Sequence, residues 1–248
     1  MVHDFSRVAS TEALVRANEH WQSRHLEEAS AGAGSPTKFT IAFSREAGTY
    51  GAAIARAVGN RLGWPVYDSE LLQRIAEDMG VHRALLESVD EKRASWLSEC
   101  LESFSSAPAV SEFAYSRRLV ETLLSLAAHG DCVIVGRGAA KVLPAATTLR
   151  VRIVAPLEYR VEAVSREHGI AREQAAKQVE ATDRERRRFM EEHFRLDPTD
   201  PANYDLILNA ARLSHAECAD IVIAALDRLR ARPVGSSPSP AAKIQQAG

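Results

Sequence analysis

The sequence has few cysteines, little aromatic content and no long apolar run. Its three cysteines, Cys100, Cys132 and Cys218, lie far apart, and no Cys-x-x-Cys or Cys/His zinc spacing occurs. A structural zinc site is therefore not expected, and a reducing compartment fits this cysteine usage. No apolar run reaches membrane-spanning length, and the N-terminus has no apolar signal-peptide core. The net charge of −2 gives no general attraction to nucleic acid or anionic membranes. We predict a cytoplasmic protein with no metal ligands of its own and no nucleic-acid or membrane partner.

Short apolar runs alternate with helical patterns along most of the chain. Five runs have the length and composition of buried strands: 39–43, 63–68, 131–136, 149–154 and 204–209. Helical spacing appears between them. Residues 69–79 have the pattern of a helix that Gly80 ends, and residues 170–194 form a long polar helix or a helix pair. Parallel neighbours need crossover helices, so the alternation predicts an α/β fold with a parallel sheet and helices on both faces.

Ligands of such sheets bind beyond the carboxyl ends of the strands. This rule gathers the loops at 44–52, 68–74, 136–141 and 155–158 around one crevice. The candidate site residues are taken from these loops and from a basic cluster further along the chain.

The two ends of the chain differ from this core. Residues 11–29 have a thin helical apolar stripe, and the Gly, Ala, Ser and Pro residues of 31–36 are typical of a flexible linker. We predict an N-terminal helix and linker over 1–36, one domain over 37–232 and a disordered tail over 233–248. The N-terminal helix is interpreted as a weakly docked extension or as one that forms a homodimer.

The first loop has the layout of a phosphate cradle. A strand leads into a loop with Gly48 and Gly51, and a helix follows. The amides of such a loop and of the helix start converge on one point, where the helix dipole favours an anion. The full nucleotide loop also has a Lys and a hydroxyl, and here Gly51 and Ala52 stand in those places. An ordinary strand-to-helix turn is the alternative.

Four charged residues stand at the loops of the crevice. Arg45 follows the first strand directly, and Arg137 lies between two glycines after the third. A guanidinium suits phosphate, and flanking glycines let the backbone approach a ligand, so phosphate binding is favoured for both. Asp68 and Arg74 flank the start of the second helix. Their alternatives are a helix N-cap and a solvated surface residue.

Residues 182–188 form the densest positive cluster. The simplest interpretation is a solvated helix face with i,i+4 ion pairs such as Glu180 with Arg184. The alternative is a mobile lid whose arginines fold over a phosphoryl group, neutralise its charge and exclude water. Nucleic-acid binding is a third alternative, but the acidic residues at 191–192 and the overall charge argue against it.

Together these motifs resemble the cytidylate kinase-like family, a branch of the nucleoside monophosphate kinases with the P-loop fold. The resemblance extends from about residue 39 to about residue 226 and rests on the order and spacing of several segments. These are Ser44-Arg45-Glu46, Val66-Tyr67-Asp68, Glu70-Leu71-Leu72, Val133 to Gly138, Ala155 to Arg160, Thr182-Asp183-Arg184 and Asn203 to Leu206.

The resemblance implies a three-layer P-loop NTPase-type fold with a five-stranded parallel sheet and a helical lid. It implies a nucleotide kinase that transfers a phosphoryl group from ATP, with Mg²⁺, to a nucleoside monophosphate, CMP being the first candidate. The implied donor-binding residues are Ser44, Arg45, Gly48, Thr49, Tyr50, Gly51 and Ala52. The implied acceptor-binding residues are Asp68, Arg74, Arg137 and Asp183. The implied catalytic lid residues are Arg184, Arg186 and Arg187.

The sequence departs from the family pattern at the phosphate loop. Members of this branch often carry Gly-Ser-Gly-Gly-Arg there, whereas Tyr50 replaces a Gly and Ala52 replaces the Arg. Gly138 replaces the Asp of a Gly-Arg-Asp loop. We therefore expect weak ATP binding and slow or absent CMP phosphorylation. A catalytically impaired nucleotide-binding protein with a sensor or partner role stays open, as does a kinase of a small metabolite.

Overall fold

The computed structural model describes Glu19, Trp21 and residues 37–89 and 112–232. Its strands are β1 (Thr40–Arg45), β2 (Val66–Tyr67), β3 (Cys132–Val135), β4 (Thr148–Val154) and β5 (Leu206–Asn209). All neighbouring strands are parallel, in the order β2-β3-β1-β4-β5. The helices are α1 (Gly51–Leu62), α2 (Ser69–Glu77), α3 (Met79–Glu87), α4 (Glu112–His129), α5 (Ala139–Val142), α6 (Leu157–His168), α7 (Arg172–Phe194) and α8 (His215–Arg230), with a 3₁₀ turn at Pro201–Asn203.

The sheet is covered by helices on both faces. Successive residues of a strand point to opposite faces, and in β1 the side chain of Ala42 packs with α2 and α4 while Ile41 and Phe43 pack with α1 and α8. Each face thus has its own apolar cluster with the sheet between them. The predicted five-stranded, three-layer α/β fold is confirmed.

Local capping signals explain where several helices begin and end. Gly63 ends α1 in the left-handed conformation, and Ser214 starts α8 with a complete capping box formed with Glu217. Asp68 accepts two backbone hydrogen bonds at the start of α2. One boundary differs from the sequence interpretation, which ended this helix at Gly80. Asp78 instead ends α2 and caps α3, because its carboxylate accepts hydrogen bonds from the first amides of the new helix.

One side chain of the N-terminal segment belongs to the core. Trp21 is only 2% exposed and packs in the cluster that contains Leu71 and Leu119. Its indole Nε1 donates a hydrogen bond to the hydroxyl of Tyr67, 3.0 Å away, and burial holds the pKa of that hydroxyl well above its ordinary value. The boundary after residue 36 stays a prediction. The linker at 31–36, the tail at 233–248 and most of the N-terminal helix lie outside the described residues.

None of the helices among the described residues is both long enough and apolar enough to span a bilayer.

Candidate functional site

A cavity of about 550 Å³ opens at the carboxyl ends of the central strands, beneath α7. Its lining is strongly charged and predominantly positive. The arginines are Arg45, Arg137, Arg152, Arg160, Arg186, Arg187 and Arg188, and the carboxylates are Glu46, Asp183, Glu185 and Glu192. Seven guanidinium groups against four carboxylates give the cavity an excess of positive charge, which favours an anionic ligand.

Arg45 extends from the end of β1 across the floor of the crevice. Its stem lies against Gly51, and its guanidinium lies beside Gly136, with Nη2 3.5 Å from the Ser69 hydroxyl oxygen. Burial lowers the pKa of Arg45 to about 10, with a further lowering by the charges of Arg186 and Arg137. The group is therefore still charged at neutral pH, but in a setting where an added anion would be favourable.

Arg137 lies between Gly136 and Gly138 in the tight turn that follows β3. Its φ of 51° is in the left-handed region, as are those of Gly136 and Gly138. Nη2 donates to the side-chain oxygen of Gln73 at 2.9 Å, and the guanidinium lies 4.9 Å from the ring centre of Phe189 on α7. Its Nε is buried and has no hydrogen-bond partner among the described residues. Arg137 thus has an unused donor in a group that lines the cavity.

Helix α7 is one continuous helix that crosses the crevice, so the alternative of a helix pair is wrong. Its first half packs on α6, and Phe189 and Phe194 in its last turns pack against the cluster on the α4 side of the sheet. The turn after β3 fits closely beneath it, because a methyl group at Gly138 would lie 2.4 Å from the ring of Phe194. Helix α7 therefore covers the cavity in this structure, and its role as a mobile lid stays a prediction.

The three lid arginines have different surroundings. Arg186 donates from Nη1 to the carbonyl oxygen of Arg45 at 3.2 Å, and burial lowers its pKa. Arg187 is exposed and lines the cavity. Arg184 is exposed, does not line the cavity and pairs with Glu180 as the solvated-face interpretation predicted. The structure therefore brings Arg186 and Arg187 to the crevice but not Arg184.

Asp183 connects the first loop to the lid. One carboxylate oxygen accepts from the amide of Ala47 at 2.8 Å, and the other pairs with Arg160 of α6. Glu46 extends the network, because its Oε2 accepts from the amide of Ala155 at 3.2 Å and lies 3.5 Å from the Arg160 Nε. The carboxylate predicted to bind substrate is already engaged by the chain, and it holds the loop against α6 and α7.

The glycine loop does not form a wall of this cavity. A methyl group at Gly48, where φ is +75°, would lie 2.4 Å from the carbonyl oxygen of Arg160, so the loop packs closely on α6. Thr49 is fully buried and its hydroxyl donates to the carbonyl of Glu46 at 2.8 Å. Tyr50 faces away from the crevice, with its hydroxyl 3.4 Å from the carbonyl of Ala163 and its ring 5.2 Å from that of His215. None of residues 48–52 lines the cavity.

Two of the predicted acceptor residues also lie outside the cavity lining. Asp68 caps α2 by accepting from the amides of Glu70 and Leu71 at 3.2 and 3.0 Å. Arg74 is exposed on the same helix. Both positions match the alternatives of a helix cap and a surface residue, and of the acceptor loops the structure brings Arg137 and Ser69 to the cavity.

Sequence reasoning missed Arg152, which stands on β4 and is only 7% exposed. Its guanidinium donates to the hydroxyl oxygens of Ser44 at 3.3 Å and Tyr204 at 3.4 Å, and lies 3.5 Å from the carboxylate of Glu46. The available signal was a charged residue close to the carboxyl end of an otherwise buried strand, since a buried charge needs partners.

Comparison with known proteins matches residues 40–212 to the cytidylate kinase-like family. The chain belongs to this family. The resemblance drawn from the sequence motifs is thereby confirmed, and the match covers all five strands of the sheet and the lid helix.

Two curated relatives of this chain are named cytidylate kinases. The protein of Methanopyrus kandleri is 30% identical over 175 residues, which cover 65% of this chain and 88% of the relative. That of Pyrococcus horikoshii is 28% identical over 169 residues, covering 68% and 86%. Among solved structures, an uncharacterized protein from Eubacterium ventriosum has a TM-score of 0.62 at 20% identity over 77% of this chain and 99% of its own. That last likeness supports the fold alone.

The residues of this family member fit a phosphate-bearing ligand better than a protein-bound metal ion. The excess of guanidinium groups and the unused donor of Arg137 suit phosphate oxygens. Ala52 has no hydroxyl where the full loop uses one for Mg²⁺, and no group of three His, Cys, Asp or Glu side chains among the described residues could hold a metal.

Proposed function

We propose that this protein is a nucleotide kinase that transfers the terminal phosphoryl group of ATP to a nucleoside monophosphate, with CMP as the first candidate acceptor. The observation that carries the proposal is the convergence of guanidinium groups from β1, the turn after β3, β4 and α7 on one cavity at the carboxyl ends of a parallel sheet. Membership of the cytidylate kinase-like family supports the same reaction.

The reaction breaks the bond between the terminal phosphorus of ATP and its bridging oxygen and forms a bond to a phosphate oxygen of the acceptor. ATP with Mg²⁺ would supply the phosphoryl group and part of the charge compensation. Arg137 would bind the acceptor phosphate through its free donor. Arg186 and Arg187 on α7 would stabilise the charge on the transferred group, and the closed helix would keep water out.

We expect turnover to be slow. A charge-assisted hydrogen bond contributes about 1.5–3 kcal/mol, so the missing loop Lys should weaken ATP binding about ten- to a hundredfold. We also propose that the protein is cytoplasmic, because its few and widely spaced cysteines fit a reducing compartment.

A nucleotide-binding protein without catalysis is the second candidate, and a specific observation favours it. The glycine loop packs on α6 through Gly48, and Thr49 is buried with its hydroxyl bonded to Glu46. A loop fixed in this way has few groups left to position a donor. Such a protein would bind nucleotides as a sensor or partner module and produce no diphosphate.

An acceptor screen separates the two candidates. ADP and nucleoside diphosphate would be quantified by chromatography after incubation with ATP, Mg²⁺ and each of AMP, CMP, GMP and UMP, and binding of each monophosphate would be measured beside it. The kinase requires a diphosphate product that Arg137→Ala forms at least about tenfold more slowly. Arg184→Ala, at an exposed position of α7 outside the cavity, should leave the rate intact. Binding without any diphosphate would establish the second candidate.

A further inference from the structure

The charged end of Arg45 lies away from the loop in which the residue begins. A methyl group at Gly51 would meet the Cβ of Arg45 at 2.6 Å, so the stem starts over the glycine loop. A methyl group at Gly136, at the turn after β3, would lie 2.4 Å from its Nη1. Nη2 is 3.5 Å from the hydroxyl oxygen of Ser69 at the start of α2. The guanidinium therefore lies between the two loops assigned to the acceptor.

The charges around this guanidinium are mostly positive, which favours the binding of an anion. Burial is the main cause that lowers the pKa of Arg45, the charges of Arg186 and Arg137 lower it further, and Asp68 is the carboxylate that opposes them. The Oδ1 of Asp68 already accepts the two capping hydrogen bonds of α2. Glu185 and Asp183 act on Arg186, and Asp183 is itself paired with Arg160. Three guanidinium groups thus share one region with little free carboxylate.

The neighbouring Arg137 supplies an independent sign of a missing ligand. Its Nε is buried without a hydrogen-bond partner among the described residues, although its Nη2 is held by Gln73. A buried donor without a partner is costly, and a phosphate oxygen would satisfy it. Both arginines line the same cavity.

We infer that Arg45 binds the phosphate of the acceptor, together with Arg137 and the hydroxyl of Ser69, rather than the phosphates of the donor. The ligand class is a phosphate monoester, whose oxygens accept from the two guanidinium groups at once. This assignment gives Arg45 a specific role within the proposed function, and it rests on that function for the identity of the acceptor. It changes the role that the sequence suggested for Arg45, which was donor binding.

The ratio of the affinity for a nucleoside monophosphate to the affinity for its nucleoside measures the contribution of this phosphate subsite. For the monophosphate that the wild type binds most tightly among AMP, CMP, GMP and UMP, affinity would be determined by calorimetry beside that of its nucleoside. Arg45→Met keeps the stem over Gly51 and removes the charge, and Arg45→Lys keeps a charge without the planar fork. Arg184→Met is the matched control, since Arg184 is exposed and does not line the cavity. Melting temperatures would verify folding of each variant.

We expect Arg45→Met to reduce the preference for monophosphate over nucleoside about 10- to 100-fold, with Arg45→Lys in between and Arg184→Met unchanged. Affinity for a non-hydrolysable ATP analogue should change less than threefold in Arg45→Met. A folded Arg45→Met that keeps the preference within twofold of wild type would overturn the assignment. So would a wild type that binds no monophosphate more tightly than its nucleoside. A failed turnover screen with an intact phosphate preference would remove the kinase proposal alone and leave this assignment standing.

Discussion

Replacement of Trp21 by alanine should cost a large share of the stability of this domain. The side chain is 2% exposed and packs in the core cluster beneath the α2 and α4 face of the sheet. Removing a buried Trp side chain costs about 3–5 kcal/mol, while a natural domain has only about 5–15 kcal/mol in total. The free energy of unfolding should therefore fall by roughly a fifth or more, although sequence patterns assigned this residue to an extension.

The hydrogen bond to Tyr67 can be separated from the packing. Trp21→Phe keeps most of the apolar surface but leaves the buried Tyr67 hydroxyl without the donor that now lies 3.0 Å away. An unsatisfied buried polar group costs about 1–3 kcal/mol. Adding Tyr67→Phe removes that hydroxyl, and the double variant should be less destabilised than the sum of the two single variants.

Urea unfolding followed by circular dichroism measures these differences. Trp64→Ala is a suitable control, because Trp64 is half-buried and its ring contacts Arg230 at the surface of the other cluster. A loss of less than about 0.5 kcal/mol in Trp21→Ala, the range of ordinary surface substitutions, would refute the placement of Trp21 in the core. Deletion of residues 1–36 should cost at least as much as Trp21→Ala. A cooperative transition in the shortened chain would support the predicted boundary.

Three further predictions concern the lid, the loop and pH. Gly138→Ala should lower stability by about 1–3 kcal/mol or more, because the φ of Gly138 is +79° and the methyl would collide with the Phe194 ring at the end of α7. Gly169→Ala is the control for thermal unfolding: φ is +63° there, but no atom lies within 4 Å, so it should cost less. Asp183→Asn should cost about 1.5–3 kcal/mol because it weakens the partly buried pair with Arg160, and unchanged stability in urea would contradict this. Burial lowers the pKa of His82 below 6.5, so the unfolded state binds more protons and stability should fall as pH drops below about 6.5. His82→Gln should flatten that dependence between pH 7.5 and 5.5, and an equal slope in both proteins would exclude His82 as its source.

The parts of the fold that sequence predicted are those in which local and global signals agree. The strand at 39–43 is apolar, β-rich and followed at once by a helix pattern, and β1 and α1 form there. Gly63 and Ser214 mark helix ends by local chemistry that needs no tertiary context. Gly80 misled the interpretation, because Asp78 two residues earlier is the stronger cap and starts a new helix.

The site was harder to predict because its groups meet only in three dimensions. Loop position predicted that Arg45 and Arg137 would lie at one crevice, and both line the cavity, since the carboxyl ends of parallel strands converge. It could not show that the Asp183 carboxylate would be taken by Ala47 and Arg160, or that Arg152 would be buried against Ser44. The hydrogen-bond and ion-pair partners of Asp183 and Arg152 lie far from them in sequence, so local patterns do not reveal them.

The arginine-lined crevice is proposed to transfer a phosphoryl group between nucleotides. A single-turnover experiment is the sharpest test of this claim, because an excess of enzyme over ATP labelled in its terminal phosphate detects even a slow reaction. With CMP, Mg²⁺ and wild-type protein, we predict that the label appears in CDP, that Arg184→Ala transfers it at the wild-type rate and that Arg137→Ala does so at least about tenfold more slowly. Label that stays in ATP with every monophosphate tested, at concentrations where both nucleotides are shown to bind, would contradict the claim.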